Sequence, residues 1–287
     1  MYIDTSLLYC SVKKRYYILF IAILILSNSL SFGQQPIVYG SNNGKYIAIL
    51  NTKIYYEEYG KGIPLILLHG GMGSIADFSL CIPGLAKHFH VIAPDAPGMA
   101  KSQMSDSISY ELLADYTAKM IDQLQLDSAY VMGWSDGGNA ALILAGKRPD
   151  KVRRVLASGA NYKRSGYNFG DSNSLKPIPA DYKPSADEKK WFDEQFAANG
   201  PYWRKIINDR TKMWSQELYF SPSILEAIKI PVMIVVGDRD AVKLEHAIEI
   251  HRLIKGSQFC VLPNSTHSVF SERPDLINEI AIDFFLK

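Results

Sequence analysis

The chain has 287 residues, 47% of them hydrophobic and 21% charged, enough for one large globular core plus an insertion. Its formal net charge of +2 comes from the N-terminus. Residues 1–33 hold three basic residues and one acidic residue, and without them 28 of each remain, a balance that gives no electrostatic case for nucleic acid or anionic membranes.

Lys13-Lys14-Arg15 precede an apolar run from Ile18 to Leu26, and Ser31-Phe32-Gly33 follow. That order is expected of an export signal with cleavage after Gly33, and the run is short for a permanent membrane span. The expected location is therefore periplasmic or secreted. An uncleaved anchor is the alternative, and with it the sole contact with a membrane.

Tyr46–Leu50 and Lys53–Tyr59 bracket Asn51-Thr52 and predict an antiparallel hairpin. Pro64–Leu68 reads as a strand covered on both faces, ending in His69-Gly70-Gly71-Met72-Gly73-Ser74. A helix is expected over 75–87, a strand over 89–93 ending at Pro94-Asp95, and a helix over 110–124. Ala129–Met132 reads as a buried strand, Asn139–Ala145 as the start of a helix, and Val152–Ser158 as the next strand. The repeated alternation implies a mostly parallel α/β sheet with helices on both faces, whose ligands bind at the carboxyl ends of the strands.

The alternation breaks between 161 and 227. Helices are expected there over 187–198 and 202–218, with Trp191, Trp203 and Trp214 among many aromatics. This predicts a small helical lid whose aromatics mostly pack the insertion, with one or two facing a ligand. A strand over 231–236, a helix over 244–254, a strand over 257–262 and a closing helix over 274–285 follow. The expected organisation is a signal over 1–33, core over 34–160 and 228–287, and lid over 161–227.

Gly133-Trp134-Ser135-Asp136-Gly137 is a Gly-x-Ser-x-Gly turn between a strand and a helix, with glycines where backbones crowd. A serine at such a tip is exposed above the sheet. It still needs a base, and a carboxylate to orient that base. His267 lies in a loop after the last strand; His69 reads as structural, and His88, His90, His246 and His251 as surface or packing residues. Asp238 and Asp240 both follow a strand, and Asp240 is favoured as the acid because Asp238 is better placed to bond the turn. The candidate catalytic set is Ser135, Asp240 and His267, in the chain order of a nucleophile-elbow enzyme. Oxyanion donors are expected from the N–H of Asp136 and from Gly71 or Met72.

Asp136 and Trp134, flanking the serine, are the candidate substrate contacts. A carboxylate beside the nucleophile favours a cation, which would suit an amino-acid ester. The alternative is that Asp136 caps its helix or pairs with a lid residue such as Lys163 or Arg164. Cys81 and Cys260 could join after export, or remain two buried thiols. No Cys/His cluster has metal-ligand spacing, so no metal or organic cofactor is expected.

Together, His69-Gly70-Gly71, Asp95-Ala96-Pro97-Gly98, Gly133–Gly138, Gly237-Asp238-Arg239-Asp240 and Asn264-Ser265-Thr266-His267 resemble the α/β-hydrolase superfamily. Gly-Trp-Ser-Asp-Gly-Gly followed by Ser158-Gly159-Ala160-Asn161-Tyr162 is similar to its biphenyl-hydrolase-like, valacyclovir-hydrolase-like branch. The resemblance spans 46–287 and implies the α/β-hydrolase fold and serine ester hydrolysis by the same three residues. Ala100 departs from it, standing where relatives often carry a glycine. The expected activity is hydrolysis of a small ester, thioester or amide through an acyl-enzyme. Carbon–carbon or lactone hydrolysis with the same triad is one alternative; a ligand-binding member without turnover is another.

Overall fold

A computed structural model describes residues 35–168 and 175–287; the expected export signal lies outside them. Eight strands form one sheet: β1 (Lys45–Ile49), β2 (Thr52–Tyr59), β3 (Ile63–Leu68), β4 (Phe89–Pro94), β5 (Ala129–Trp134), β6 (Val152–Ser158), β7 (Val232–Gly237) and β8 (Gln258–Leu262). Their order is β1-β2-β4-β3-β5-β6-β7-β8. β1 and β2 run antiparallel to their neighbours, and every later pairing is parallel. The β1–β2 hairpin turns through Leu50 and Asn51, both at positive φ (47° and 63°), the backbone sense that matches the twist of two strands.

The helices are α1 (Ile82–Leu85), α2 (Tyr110–Gln123), α3 (Asp136–Lys147), α4 (Ala186–Gln195), α5 (Trp203–Trp214), α6 (Pro222–Ala227), α7 (Leu244–Leu253), α8 (Val269–Glu272) and α9 (Pro274–Leu286). The single helix expected over 75–87 is instead a 3₁₀ turn, Ile75–Phe78, followed by α1. Pro83 lies in the first turn of α1. A proline cannot donate to the preceding turn, so it starts a new helix here and does not continue an old one.

Side-chain alternation sorts the strands onto two cores. In β5, Ala129 and Val131 join Leu113, Ile121 and Leu144 on one face. Tyr130 and Met132 join Phe78, Phe89 and Phe285 on the other. Both faces are apolar because helices cover both, which is why β3 and β5 read as continuous hydrophobic runs. Nearly all of α3 is buried behind β5, so its N-terminus is held rigidly over the sheet edge.

The chain passes from β3 outward to β4, then returns to β5 on the other side of β3. Such a reversal opens a crevice beyond the strand ends. Leu68 of β3 pairs with Gly133 of β5, so the residues that follow each strand, His69–Met72 and Ser135, leave the sheet side by side at that crevice. Between β6 and β7, α4 and α5 pack on each other: Phe192 and Trp203 stack at 4.1 Å, and Phe192, Phe196, Ile206 and Met99 form a separate small core. α6 packs back on α3, where Gly146 lies against Ile224.

Candidate active site

Ser135 sits between β5 and α3 at φ 54° and ψ −118°, a conformation L-residues rarely adopt. Its N–H donates to the Ser158 carbonyl at 2.8 Å and its carbonyl accepts from Asn139 N–H at 2.9 Å, which holds the turn in place. A Cβ at Gly133 would lie 2.3 Å from the Gly137 carbonyl oxygen, and one at Gly137 would lie 2.1 Å from that of Leu68. The two glycines of the motif therefore let three backbone segments touch.

His267 Nε2 lies 2.9 Å from Ser135 Oγ, and its Nδ1 lies 2.7 Å from Asp240 Oδ1. The Asp240 side chain is fully buried. It also accepts from Val242 N–H at 2.9 Å and Gly237 N–H at 3.3 Å. An ionised carboxylate only accepts, so His267 Nδ1 carries the hydrogen and Nε2 is free to accept from the serine hydroxyl. Asp238 turns elsewhere: its Oδ1 accepts from Ser265 N–H at 2.9 Å and so shapes the loop that carries His267. Sequence reasoning missed the spatial part of Gly159, at φ 60°, where a Cβ would lie 2.7 Å from His267 Cε1. Its place after β6 beside the Ser158 motif was the available signal.

Gly71, Met72 and Asp136 line one pocket of about 340 Å³ with Ser135 and His267. Asp136 is the first residue of α3, where a backbone N–H has no partner within the helix. The Gly70–Gly73 turn closes with Gly73 N–H on the Gly70 carbonyl at 3.1 Å, leaving the N–H groups of Gly71 and Met72 outside that bond. Trp134, Tyr110, Tyr167, Trp214 and Tyr219 add an aromatic wall. Of the aromatics between 161 and 227, Tyr167, Trp214 and Tyr219 thus face the pocket, whereas Trp191, Phe192, Phe196 and Trp203 pack on one another.

Asp136 is almost wholly buried, and it pairs with a residue of the 161–227 insertion, though with neither Lys163 nor Arg164. Lys163 pairs with Glu249 at 2.8 Å and Arg164 with Glu217 at 3.3 Å. The cation beside Asp136 is Arg210 of α5, 3.6 Å away and itself buried. Tyr110 Oη donates to Oδ1 at 2.7 Å, and Trp214 Nε1 reaches both oxygens at 3.1 Å. Burial pushes the Asp136 carboxyl above its ordinary range, while Arg210, Tyr110 and Trp214 oppose that push. Lys163 and Arg164 are engaged by Glu249 and Glu217, and the tertiary docking of α5 brings Arg210 to Asp136 instead.

His69 is a structural residue. Its Nδ1–H donates to the Gly70 carbonyl at 2.7 Å and its Nε2 accepts from Ala96 N–H at 2.8 Å. Burial holds its pKa down at about 4, so the ring is neutral. Asp95 is also buried; it accepts from Tyr39 Oη and from Ile75 N–H at 3.1 Å, and burial raises its pKa to about 6. Cys81 and Cys260 are free thiols. Cys81 Sγ donates to the Phe270 carbonyl at 3.3 Å.

A nucleophile elbow, an imidazole and a buried carboxylate in this sheet define a serine hydrolase. The family model described as alpha/beta hydrolase fold matches residues 63–221, more than half of the chain, and the protein belongs to that family. Among curated relatives, 2-hydroxymuconate semialdehyde hydrolase of Pseudomonas sp. (strain CF600) is 30% identical over 171 residues, 58% of this chain and 57% of that protein. Serine hydrolase BPHL of Homo sapiens is 26% identical over 258 residues, 83% and 84% of the two chains. A meta-cleavage product hydrolase from Pseudomonas fluorescens IP01 superposes with a TM-score of 0.71 at 24% identity, covering 84% of this chain and 97% of that one, a likeness of fold.

Proposed function

We propose that the enzyme hydrolyses a small ester, thioester or amide through an acyl-enzyme formed on Ser135. The observation that carries this reading is the continuous contact Ser135–His267–Asp240 at the edge of the aromatic pocket. Ser135 Oγ attacks the acyl carbon as its proton passes to His267 Nε2. The N–H of Asp136 and that of Gly71 or Met72 receive the negative charge that develops on the acyl oxygen. As the tetrahedral intermediate collapses, the bond to the leaving group breaks and His267 returns the proton to it. Water then attacks the acyl-enzyme by the same route, releasing the acid and the serine hydroxyl. Asp240 keeps the imidazole in the tautomer both halves need.

Carbon–carbon hydrolysis by the same residues is the second reading, because one relative is named for a semialdehyde hydrolase. A panel of chromogenic esters, thioesters, amides and a hydrolysable diketone, run with wild type and Ser135→Ala, separates the two. Acyl transfer predicts ester turnover that falls by about 10⁴-fold or more in the variant. Turnover confined to the diketone would favour the second reading, and turnover that survives the substitution would sink both. Export belongs to the same proposal, and N-terminal sequencing of extracytoplasmic protein beginning near Gln34 would support it.

A further inference from the structure

We infer that Arg210, carried on the lid helix α5, occupies the Asp136 carboxylate and thereby makes this site select acyl groups without positive charge. The inference rests on the acyl-transfer reading and names its substrate class. Asp136 follows the nucleophile and lines the catalytic pocket, the natural anchor for a substrate ammonium. Its oxygens are already engaged: Oδ1 accepts from Tyr110 and Trp214, Oδ2 accepts from Trp214, and Arg210 Nη1 stands 3.6 Å from Oδ2 as an ion pair. Space is also closed. A Cβ at Gly71 would meet Asp136 Oδ2 at 2.5 Å and Trp214 Cζ2 at 2.4 Å, so carboxylate and indole lie directly against the oxyanion loop.

Arg210 reaches this carboxylate from behind. It lines a separate cavity of about 40 Å³ with Leu113, Met120 and Thr117, and that cavity shares Gly70 and Asp136 with the catalytic pocket. Its Nη2 donates to the Pro97 carbonyl at 3.2 Å, and its buried Nε has no partner among the described residues. A guanidinium so sparsely bonded depends on Asp136 for its charge balance. A substrate ammonium that took the carboxylate would strand Arg210 in the interior and place two like charges within a few ångströms. The one other acidic group on the pocket, Asp77 among the described residues, accepts from Ser74 N–H at 3.1 Å as part of a helix cap.

Two 4-nitrophenyl esters test this, one of alanine and one of isobutyric acid, which differ by an ammonium in place of a methyl group. Wild type should favour the isobutyryl ester in kcat/KM by about tenfold or more, and Arg210→Met should move the ratio at least about tenfold toward the alanyl ester. Asp136→Asn added to that variant should reverse the move, and Arg210→Lys should keep the wild-type preference. Thermal unfolding of each variant identifies those that are folded. The same ratio can be read from the rates at which ammonium-bearing and methyl-bearing phosphonofluoridates label Ser135, whatever bond the enzyme naturally cleaves. Labelling without ester turnover therefore fails the acyl-transfer reading and leaves this one decided by the labelling ratio. A wild-type preference for the ammonium, whether through Asp136 or Asp77, overturns the inference. So does an Arg210→Met variant that is folded and keeps the wild-type ratio. If neither probe labels Ser135, both readings fall.

Discussion

The indole Nε1 of Trp134 donates to the backbone carbonyl of His267 at 2.7 Å. The residue before the nucleophile thus holds the loop that carries the base, although the two are 133 positions apart. The same indole packs beside the imidazole, ring centroids 5.6 Å apart. Trp134→Phe keeps an aromatic ring but removes the donor together with part of the indole's packing volume. A hydrogen bond of this kind contributes about 0.5–1.5 kcal/mol, so kcat should fall roughly 2- to 12-fold with little change in KM. Steady-state kinetics decide: a raised KM at unchanged kcat would make the indole a substrate contact and not a positioning residue.

Asp240→Asn should lower kcat by about 10³- to 10⁴-fold, because an amide NH₂ facing His267 Nδ1 favours the wrong tautomer. With the NH₂ in the Oδ1 position the Asn oxygen can still accept from Gly237 N–H, but Val242 N–H loses its acceptor, so stability should also fall, by about 1–3 kcal/mol. Asp238→Asn affects the Ser265 turn and an exposed pair with Arg239, neither in contact with His267, and should cost less than about tenfold in kcat. A larger loss at Asp238 than at Asp240 would reassign the acid.

His69 gives stability a defined pH dependence. Its folded pKa of about 4 lies below the ordinary value of 6.5, so between those values the unfolded chain binds the extra proton. Stability then falls as pH drops from 6.5 toward 4. Asp95 and Asp77, both raised to about 6, act oppositely: the folded state holds their protons, and stability falls as pH rises from 4 toward 6. Comparing wild type with His69→Gln cancels the two aspartates. The variant should be less stable at pH 7, where it loses the fixed bridge from Gly70 to Ala96. At pH 5 its deficit should shrink by about 2 kcal/mol, since about 1.5 pH units separate that pH from the unfolded histidine's pKa. Denaturant titrations at the two pH values measure this; an unchanged deficit would mean the imidazole titrates normally.

Ala100 stands at φ 42°, a left-handed conformation in which a Cβ costs about 1–2 kcal/mol. Its N–H donates to the Gln195 carbonyl at 2.7 Å and its carbonyl accepts from Ala198 N–H at 2.9 Å, so this strained residue ties down the segment after α4. Ala100→Gly should change stability by less than about 1 kcal/mol. Relief of strain is offset by about 0.8 kcal/mol for the lost buried methyl and 0.5–1 kcal/mol for glycine's chain entropy. Ala100→Val should cost more than about 2 kcal/mol, because a branched side chain meets the same strain in a filled space. Thermal unfolding reads both, and a well-tolerated valine would show that the turn relaxes.

The sequence by itself determined the alternation of strands and helices, the Gly-x-Ser-x-Gly turn and the chain order of serine, aspartate and histidine. Hydrophobic periodicity and glycine placement are local properties, set by which faces must be buried and which backbones must touch. Even so, Pro83 divided a stretch that periodicity reads as one helix. Only the tertiary structure decided what stands opposite Asp136, because pairing across 74 positions depends on how α5 docks, and no pattern within α5 records that Arg210 and not Lys163 or Arg164 ends beside the nucleophile. The same holds for Gly159 beneath His267 and for Trp134 bonded to the carbonyl of its neighbour in space. Each is a contact between segments whose sequences carry no trace of one another, and each is fixed by the sheet order that brings the strand ends to one edge.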